Sequence, residues 1–573
     1  MPHRDDVAPS LPPSLLRRFD ARVLDPSTAP TEGAGTAGRG ARTPSATAYL
    51  NRRLMVAGLL GVSAIDRIAE LQRVLREAGF PVELRTDAAD EAFGRWLVLA
   101  VETGADEGVG KEFADVRSAP MDPDDPVTRI DPDLRIGTVS AAQLDAGYAS
   151  RVFVVAEDGE EPDPWRLVLA ARAAGLDGVD LEHLLIPGTG GLYWGGQTGG
   201  LYWGGQTGGL YWGGQTGGLY WGGQGGMPGV APDRTPVQLA LPDPTRPVRK
   251  PGRTPVVVVP DTGLGSHPWF DGSGLAGERR HLLGWPVLPG GEPLPRPEDK
   301  GVHDELTGFL DALSGHGTFI AGIVRQAAPG AHIVALPVLD SAGLAAEQDV
   351  MRTLAVLLVL HVIRQEQGRD GFDDAGGVVD VLNLSLGFYH QEGVLKHHPV
   401  RHLVELFGRT GVSVVAAAGN QATSTPMYPA GWALPAGSAA DPKGGVPLVC
   451  VGALNPDRCT VAFFSNAGPW VTTHRPGVNV VSTMPVTFDG SVQAAAKVTT
   501  QDGAHRATPD PDDFRGGFGV WSGTSFAAPW WAGQLAADLA RQQADGEAAT
   551  TPKAMLGRAL QGLGRLLAEE DGC

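Results

Sequence analysis

The sequence has little of what disulfide-rich, membrane or nucleic-acid-binding proteins require. Its 573 residues include only three cysteines, too few for a disulfide framework. The longest apolar run, "TLAVLLVLHVI", is too short to cross a bilayer and is typical of a buried helix. Acidic residues outnumber basic ones by 65 to 46, and the formal net charge of −19 repels phosphate backbones and anionic lipids. We therefore expect neither nucleic acid nor a membrane as a partner.

The N-terminus also lacks a basic start followed by an apolar segment, which is the pattern of a secretory signal peptide. This absence and the scarcity of cysteine predict a cytoplasmic protein. Export by a leaderless route stays open.

The chain divides into four parts by composition and hydrophobic pattern. Residues 1–46 are rich in Pro, Ala, Gly and Arg without periodicity, which predicts a disordered arm. Residues 47–186 alternate strand-like and helix-like segments, which predicts a small α/β or α+β domain. Residues 187–252 are a linker rich in glycine and proline, and residues 253–573 form a second, larger domain.

The larger domain alternates apolar strands with helical segments, as in "VVVVPDTG", "HIVALPVL" and "VVDVLNLSLG". Strands buried on both faces are rich in β-branched residues throughout, and helices connect parallel neighbours. The pattern predicts an α/β domain, with a parallel β-sheet that has helices on both faces.

Polar residues stand at the ends of several of these elements. Asp261 ends the strand of "VVVVPDTG", where open α/β sheets build their sites. His316 and Ser525 begin glycine-flanked helices in "SGHGTFIAG" and "WSGTSFAAP", and Asn420 ends "VVAAAGN". Each motif alone also fits a turn or a helix cap. Together they predict a site in which Asp261 orients His316, His316 activates Ser525, and Asn420 donates to an oxyanion.

These motifs resemble those of the subtilisin-like serine peptidases, the subtilases. The matching stretches run in family order over about residues 255–545 and include "VPDTG", "GHGTFIAGIV", "VVAAAGN" and "SGTSFAAPWWAG". The resemblance implies a subtilisin-like serine endopeptidase that acts on protein or peptide substrates through the catalytic residues and oxyanion donor named above. It also implies a substrate-binding edge strand, formed by Ser385, Leu386 and Gly387.

The resemblance also sets expectations about cofactors and insertions. It implies no cofactor for the chemistry; structural calcium is common in the family, but no acidic loop here matches a ligand pattern that assigns a site. The segment 267–300 is longer than in compact members, as is the segment near 488–519, and we expect both on the surface near the cleft. In "KHHPVRH", Pro399 interrupts the helical spacing of His398 and His402, so we expect an exposed loop and no metal site.

Many subtilases carry an N-terminal prodomain that blocks the cleft, and residues 47–186 have a suitable position and pattern. An inhibitory prodomain followed by self-cleavage and a separate regulatory module are both open. The linker after it repeats "TGGLYWGGQ" four times from Thr189 to Gln224. These copies could serve as a spacer, a ligand of the cleft in cis, a multivalent tag for a partner, or a released cargo. The alternative to an enzyme is a catalytically silent subtilase fold that displays the aromatic repeats to a partner.

Overall fold

The computed structural model describes residues 13–31, 43–102, 135–157, 159, 161–187, 235–237, 243–244, 253–287, 296–301, 310–311, 313–368, 372–373, 376–393, 395, 397–435, 444–488, 497–507, 514–544 and 549–568. The four repeats, and the expectations about them, lie outside these residues.

The N-terminal domain is an antiparallel sheet with helices packed on it. Its strands are β1 (Ala21–Leu24), β2 (Thr47–Ala57), β3 (Val82–Thr86), β4 (Arg135–Ile136), β5 (Val139–Ser140), β6 (Ala149–Ala156) and β7 (Val179–Pro187). Its helices are α1 (Pro13–Arg18), α2 (Ala64–Glu77), α3 (Ala88–Glu102), α4 (Ala141–Ala146) and α5 (Pro164–Ala173). The main sheet has the spatial order β7-β2-β6-β3, and every pair in it is antiparallel. Of the two classes predicted for residues 47–186, this arrangement is α+β.

The prediction of a disordered arm over residues 1–46 is wrong for part of that range. Helix α1 and strand β1 both lie within it, and β1 pairs with β2 from Ala21 opposite Leu50 onwards. Leu15, Leu16 and Phe19 pack against an apolar cluster that includes residues of β7 and of the C-terminal domain. These few apolar side chains are held by distant partners, so the local Pro- and Gly-rich composition does not reveal their structure.

The C-terminal domain is built on a seven-stranded parallel sheet of order β10-β13-β9-β17-β19-β20-β21. Its strands are β9 (Val256–Asp261), β10 (Ala276–Glu278), β13 (His332–Pro337), β17 (Val381–Leu384), β19 (Ser413–Ala417), β20 (Val449–Leu454) and β21 (Thr473–Pro476). The short strands outside it are β8 (Thr235–Pro236), β11 (His281–Leu282), β12 (Trp285–Pro286), β14 (Ala345–Ala346), β15 (Phe372–Asp373), β16 (Gly376–Gly377), β18 (Leu386–Gly387), β22 (Val480–Thr483), β23 (Lys497–Thr499), β24 (His505–Ala507) and β25 (Phe518–Trp521).

Helices cover both faces of this sheet. They are α6 (His316–Ala327), α7 (Glu347–Glu366), α8 (Pro399–Arg409), α9 (Thr524–Ala544) and α10 (Pro552–Ala568). Val256 and Val258 of β9 pack in a cluster with α7 and α8, whereas Val257 and Val259 pack in a second cluster with α6 and α9. Successive side chains of a strand point to opposite faces, so the two clusters lie on opposite sides of the sheet. The predicted fold class, a parallel sheet with helices on both faces, is confirmed.

The run "TLAVLLVLHVI" lies within α7, which is buried along nearly its whole length, as predicted. Among the described residues, no helix is both long enough and apolar enough to cross a membrane.

The two domains share a large contact surface. Phe93 and Trp96 of α3 pack against Trp285, with ring centroids 5.5 and 5.8 Å from it. Beside this apolar contact, the guanidinium of Arg352 on α7 reaches Asp90 of α3 at 2.8 Å, and the Arg352 side chain is fully buried. The contact therefore combines an apolar layer with a buried ion pair.

Candidate active site

A buried Asp–His pair lies at the carboxyl end of the central strand β9. Asp261 is the last residue of β9, and its Oδ1 atom lies 2.7 Å from Nδ1 of His316. The same oxygen accepts the backbone N–H of Thr262 at 2.8 Å. A carboxylate is an acceptor only, so Nδ1 of His316 carries the proton and donates it. Both side chains are fully buried.

Two glycines let helix α6 begin against the end of β9. Gly315, the N-cap of α6, has a φ of 86°, a left-handed conformation that side chains disfavour. A Cβ atom on Gly317 would lie 2.3 Å from the carbonyl oxygen of Gly263. Glycine at these two positions therefore allows the close approach that places His316 beside Asp261.

Asn420 is fixed by the start of helix α9. Its Oδ1 atom accepts the backbone N–H of Thr524 at 2.9 Å, and the hydroxyl of Thr524 accepts the backbone N–H of Gly419 at 3.0 Å. Since Oδ1 is engaged, the amide nitrogen faces the other way. Nδ2 of Asn420 is buried and has no hydrogen-bond partner among the described residues. It is available as a donor.

Ser525 lies in the first turn of α9. The ring of its neighbour Phe526 has its centroid 5.4 Å from that of His316. The Ser525 hydroxyl donates to the carbonyl of Ser385 at 3.2 Å, while the hydroxyl of Ser385 donates to the carbonyl of Ser525 at 3.0 Å. Nε2 of His316 has no hydrogen-bond partner among the described residues. The Ser525 hydroxyl is therefore hydrogen-bonded to Ser385 and not to His316.

The strand predicted as the substrate edge is already paired with the N-terminal domain. Strand β7 runs antiparallel to β18, with Ile186 opposite Gly387 and Pro187 opposite Leu386. Strand β7 also pairs antiparallel with β14, with Leu185 opposite Ala345. The end of the N-terminal domain thus pairs with two strands of the C-terminal domain, one of which directly follows Ser385, and extends its own sheet into that domain.

Residues 252–565, more than half of the chain, match the model of the subtilase family. The chain belongs to this family. A thermophilic serine proteinase of Bacillus sp. (strain AK1) is 30% identical over 183 residues, which is 30% of this chain and 36% of that protein. Subtilisin E of Bacillus subtilis (strain 168) is 26% identical over 253 residues, which is 42% of this chain and 49% of that protein. The alignments thus span less than half the length of these two relatives.

A solved structure of a cold adapted subtilisin-like serine proteinase aligns with 57% of this subtilase and 88% of that chain, at 20% identity and a TM-score of 0.31.

A buried histidine secures β7 to the rest of the subtilase. Nδ1 of His183 lies 2.7 Å from Oε2 of Glu347, and its Nε2 lies 2.8 Å from Oε1 of Gln391. The amide nitrogen of Gln391 donates to Asp180, so its oxygen must accept from His183. Both ring nitrogens of His183 therefore donate, as in an imidazolium ion. Burial is the largest single effect and opposes this charge, but the Glu347 carboxylate, the charge of Asp180 and the hydrogen bond to Gln391 together raise the pKa of His183.

The exposed loop predicted for "KHHPVRH" is wrong at His398. Pro399 is the first residue of α8, where a missing N–H is tolerated, and the His398 side chain is only 6% exposed. Nitrogens of His183, His390 and His398 lie within 4.8 Å of one another and could in principle hold a metal ion. However, His390 donates from Nε2 to Asp180 at 2.8 Å, and His183 donates from both nitrogens. These ring nitrogens carry protons that they donate to oxygen acceptors, so their lone pairs are not available to a metal ion. We therefore assign no metal to the cluster.

The insertion between Asp261 and His316 does not lie wholly on the surface as expected. Trp269 and Phe270 belong to the apolar core under α6 and α9. Glu298 is 3% exposed and bonds to Thr262, the residue that follows Asp261. The sequence motifs gave no indication of Glu298, because the insertion has neither periodicity nor a family motif.

Proposed function

We propose that this subtilase is a serine endopeptidase that hydrolyses peptide bonds through Asp261, His316 and Ser525. The observation that carries the proposal is the 2.7 Å hydrogen bond from Nδ1 of His316 to Asp261. Because Nδ1 holds the proton, Nε2 keeps its lone pair and is the basic nitrogen. Nε2 is also the nitrogen without a hydrogen-bond partner among the described side chains.

In this mechanism the Ser525 hydroxyl leaves the Ser385 carbonyl by rotation of its side chain and gives its proton to Nε2 of His316. The oxygen attacks the peptide carbonyl, while Asp261 stabilises the imidazolium that forms. Nδ2 of Asn420 and the backbone N–H of Ser525 donate to the oxyanion. His316 then protonates the leaving amine, and water hydrolyses the acyl-enzyme. Apart from the water, every catalytic group in these reaction steps is a residue of the chain, so we propose that the chemistry needs no cofactor.

Replacing Asn420 with alanine is expected to slow hydrolysis about 10²- to 10³-fold, because one oxyanion donor is lost. The measurement is the first-order rate of self-cleavage of the full-length chain, together with kcat for a fluorogenic peptide. Alanine also removes the acceptor for the N–H of Thr524. Asn420→Asp keeps that acceptor but replaces the donor with a carboxylate that repels the oxyanion, so it is expected to be at least as slow. A wild-type rate for Asn420→Asp would contradict the oxyanion role.

We further propose that the N-terminal domain is an inhibitory pro-region with β7 as its blocking tail. Three features support this role. Strand β7 pairs with β18, the strand expected to bind substrate, and also with β14. His183 forms a buried ion pair with Glu347 of the C-terminal domain. The register of β7 against β18 also leads the chain towards Ser385, whose carbonyl holds the Ser525 hydroxyl. A substrate would have to displace this strand to pair with β18.

This register predicts where the chain first cuts itself. The pairing of β7 with β18 ends with Pro187 opposite Leu386, one position short of Ser385, whose carbonyl accepts the Ser525 hydroxyl. We expect the first cut within a few residues after Pro187, ahead of most of the repeats. Intact mass and N-terminal sequencing of the fragments give the position. A first cut near Val256, which would leave β7 attached to the repeats, would contradict the role of the β7 register in placing the cut.

The same fragments test the proposed uses of the repeats. Further cuts between copies would indicate a released cargo, whereas uncut repeats at the start of the mature enzyme would indicate a spacer or a tag for a partner.

A further inference from the structure

The subtilase holds a second buried carboxyl group next to Asp261. Glu298 is 3% exposed, and both of its oxygens bond to threonine hydroxyls. Oε2 pairs with Thr318 at 2.5 Å, and Oε1 pairs with Thr262. A buried carboxylate normally has a basic partner or several N–H donors. Its two hydroxyl contacts are compatible with a neutral acid, which can donate to one hydroxyl and accept from the other.

The surrounding charges favour the same protonation state. Burial is the main cause that raises the pKa of Glu298, to about 8, and the charges of Asp261 and Glu278 add to it against the two threonine hydrogen bonds. The neighbouring arginines pair with Glu278: Oε1 of Glu278 lies 2.7 Å from Nε of Arg280 and 3.8 Å from Nη1 of Arg296. At neutral pH, Glu298 is therefore protonated while Asp261 accepts the proton of His316.

The position of the Glu298 proton decides where the Thr262 hydroxyl points. Oγ1 of Thr262 accepts the backbone N–H of Gly317 at 2.9 Å and has one hydrogen to give. That hydrogen can go to Oδ1 of Asp261 at 3.3 Å or to Oε1 of Glu298. When Glu298 is protonated at Oε1, it donates to Thr262, and the Thr262 hydrogen goes to Asp261. When Glu298 is ionised, the Thr262 hydrogen goes to Glu298 instead.

The Thr318 hydroxyl favours protonation of Glu298 at Oε1. Oγ1 of Thr318 accepts the backbone N–H of Gly265 at 2.7 Å, so its own hydrogen is free to go to Oε2 of Glu298. The acid proton then belongs on Oε1, facing Thr262. In this arrangement every donor in the chain from Glu298 to Asp261 has an acceptor.

We propose that Glu298 is a positioning residue that, as a neutral acid, directs the Thr262 hydroxyl onto Asp261 and thereby holds the carboxylate that orients His316. Oδ2 of Asp261 has no hydrogen-bond partner among the described residues, so the donors to Oδ1 alone stabilise its charge. Ionisation of Glu298 removes one of these donors and places a second negative charge beside Asp261. This inference deepens the proposed hydrolytic function and rests on it for its effect on rate.

The first test does not depend on hydrolysis. In the full-length Ser525→Ala protein, nuclear magnetic resonance follows the proton on Nδ1 of His316, which is shared with Asp261. Its chemical shift is expected to change as pH rises through the pKa of Glu298, about 8. Glu298→Gln should abolish that change, because its amide stays uncharged. The same titration in both proteins would overturn the proposal.

The second test is the pH profile of self-cleavage. The wild-type rate is expected to fall about tenfold across the same pH range, the effect of losing one hydrogen bond to a charged acceptor. Glu298→Ala should be slow at all pH values. Glu298→Gln should restore the neutral-pH rate, because its amide N–H donates to Thr262, and it should lack the alkaline decline.

Thr262 provides a second pair of variants in case Glu298→Gln does not fold. Thr262→Ser keeps the hydroxyl and should keep the decline, while Thr262→Val should remove it. A decline in Glu298→Gln equal to that of the wild type would overturn the proposal. Absence of self-cleavage in every protein would instead contradict the hydrolytic function, and the resonance of His316 would still test the role of Glu298.

Discussion

Full-length Ser525→Ala is expected to keep its full mass, whereas the wild-type protein separates into an N-terminal fragment and a mature enzyme. Loss of the nucleophile of an Asp–His–Ser triad lowers kcat about 10⁶-fold, so cleavage in cis becomes undetectable on the time scale of purification. Intact mass spectrometry of both proteins, purified in parallel, measures the difference. A serine-directed phosphonate should label the processed wild-type enzyme at Ser525 and leave the variant unlabelled.

A matched serine separates this loss from damage to the fold. Ser522 lies three positions before Ser525, is also fully buried, and accepts the backbone N–H of Asn479 at 3.0 Å. Ser522→Ala is expected to process like the wild type. Equal cutting of wild type and Ser525→Ala would indicate another protease. A wild type that stays whole and unlabelled would favour the alternative of a silent subtilase fold that displays the repeats.

The sequence was most informative where local backbone geometry fixes a residue. Asp261, His316 and Asn420 each stand at the end of an element, and glycines such as Gly315 and Gly317 have conformations or contacts that no other residue accommodates. Such positions can be identified from short motifs. The parallel sheet was predictable for a similar reason, because its strands are buried on both faces and are apolar throughout.

The residues that the sequence missed depend on contacts between distant segments. Glu298 reaches Thr262 from an insertion without a motif, and a Cβ atom on Gly265 would lie 2.7 Å from the Glu298 carbonyl oxygen. Pro399 in the middle of "KHHPVRH" predicts a break in the helix and an exposed His398, whereas proline is compatible with the first position of a helix. The partner of β18 could not be predicted either, since β7 lies about 200 residues away along the chain and no local pattern specifies such a pairing.

The second large effect is expected at the ion pair between the two domains. Arg352 is fully buried on α7, 2.8 Å from Asp90 and 3.2 Å from Asp87 of the N-terminal domain. Asp90 is only 2% exposed, and it also accepts the Tyr148 hydroxyl at 2.7 Å and the backbone N–H of Arg151 at 2.6 Å. Arg352→Met leaves this carboxylate without its closest cation. We expect the docking of the N-terminal domain to weaken by about 3–5 kcal/mol, the cost of breaking a buried pair.

After self-cleavage the N-terminal fragment is expected to stay bound and to inhibit the enzyme. The rate of peptide hydrolysis by this complex therefore measures how tightly the fragment is docked. Arg352→Met should release the N-terminal fragment on dilution and show full activity at protein concentrations where the wild-type complex is still inhibited. The double variant Asp90→Asn, Arg352→Met removes both charges and is expected to recover much of the loss, since the cost arises from the unpaired carboxylate. Arg73→Met breaks exposed pairs with Glu70 and Glu77 and should have almost no effect. If the double variant were as weak as Arg352→Met, the effect would come from lost packing along the Arg352 side chain. Unpaired charge at Asp90 would then not be its cause.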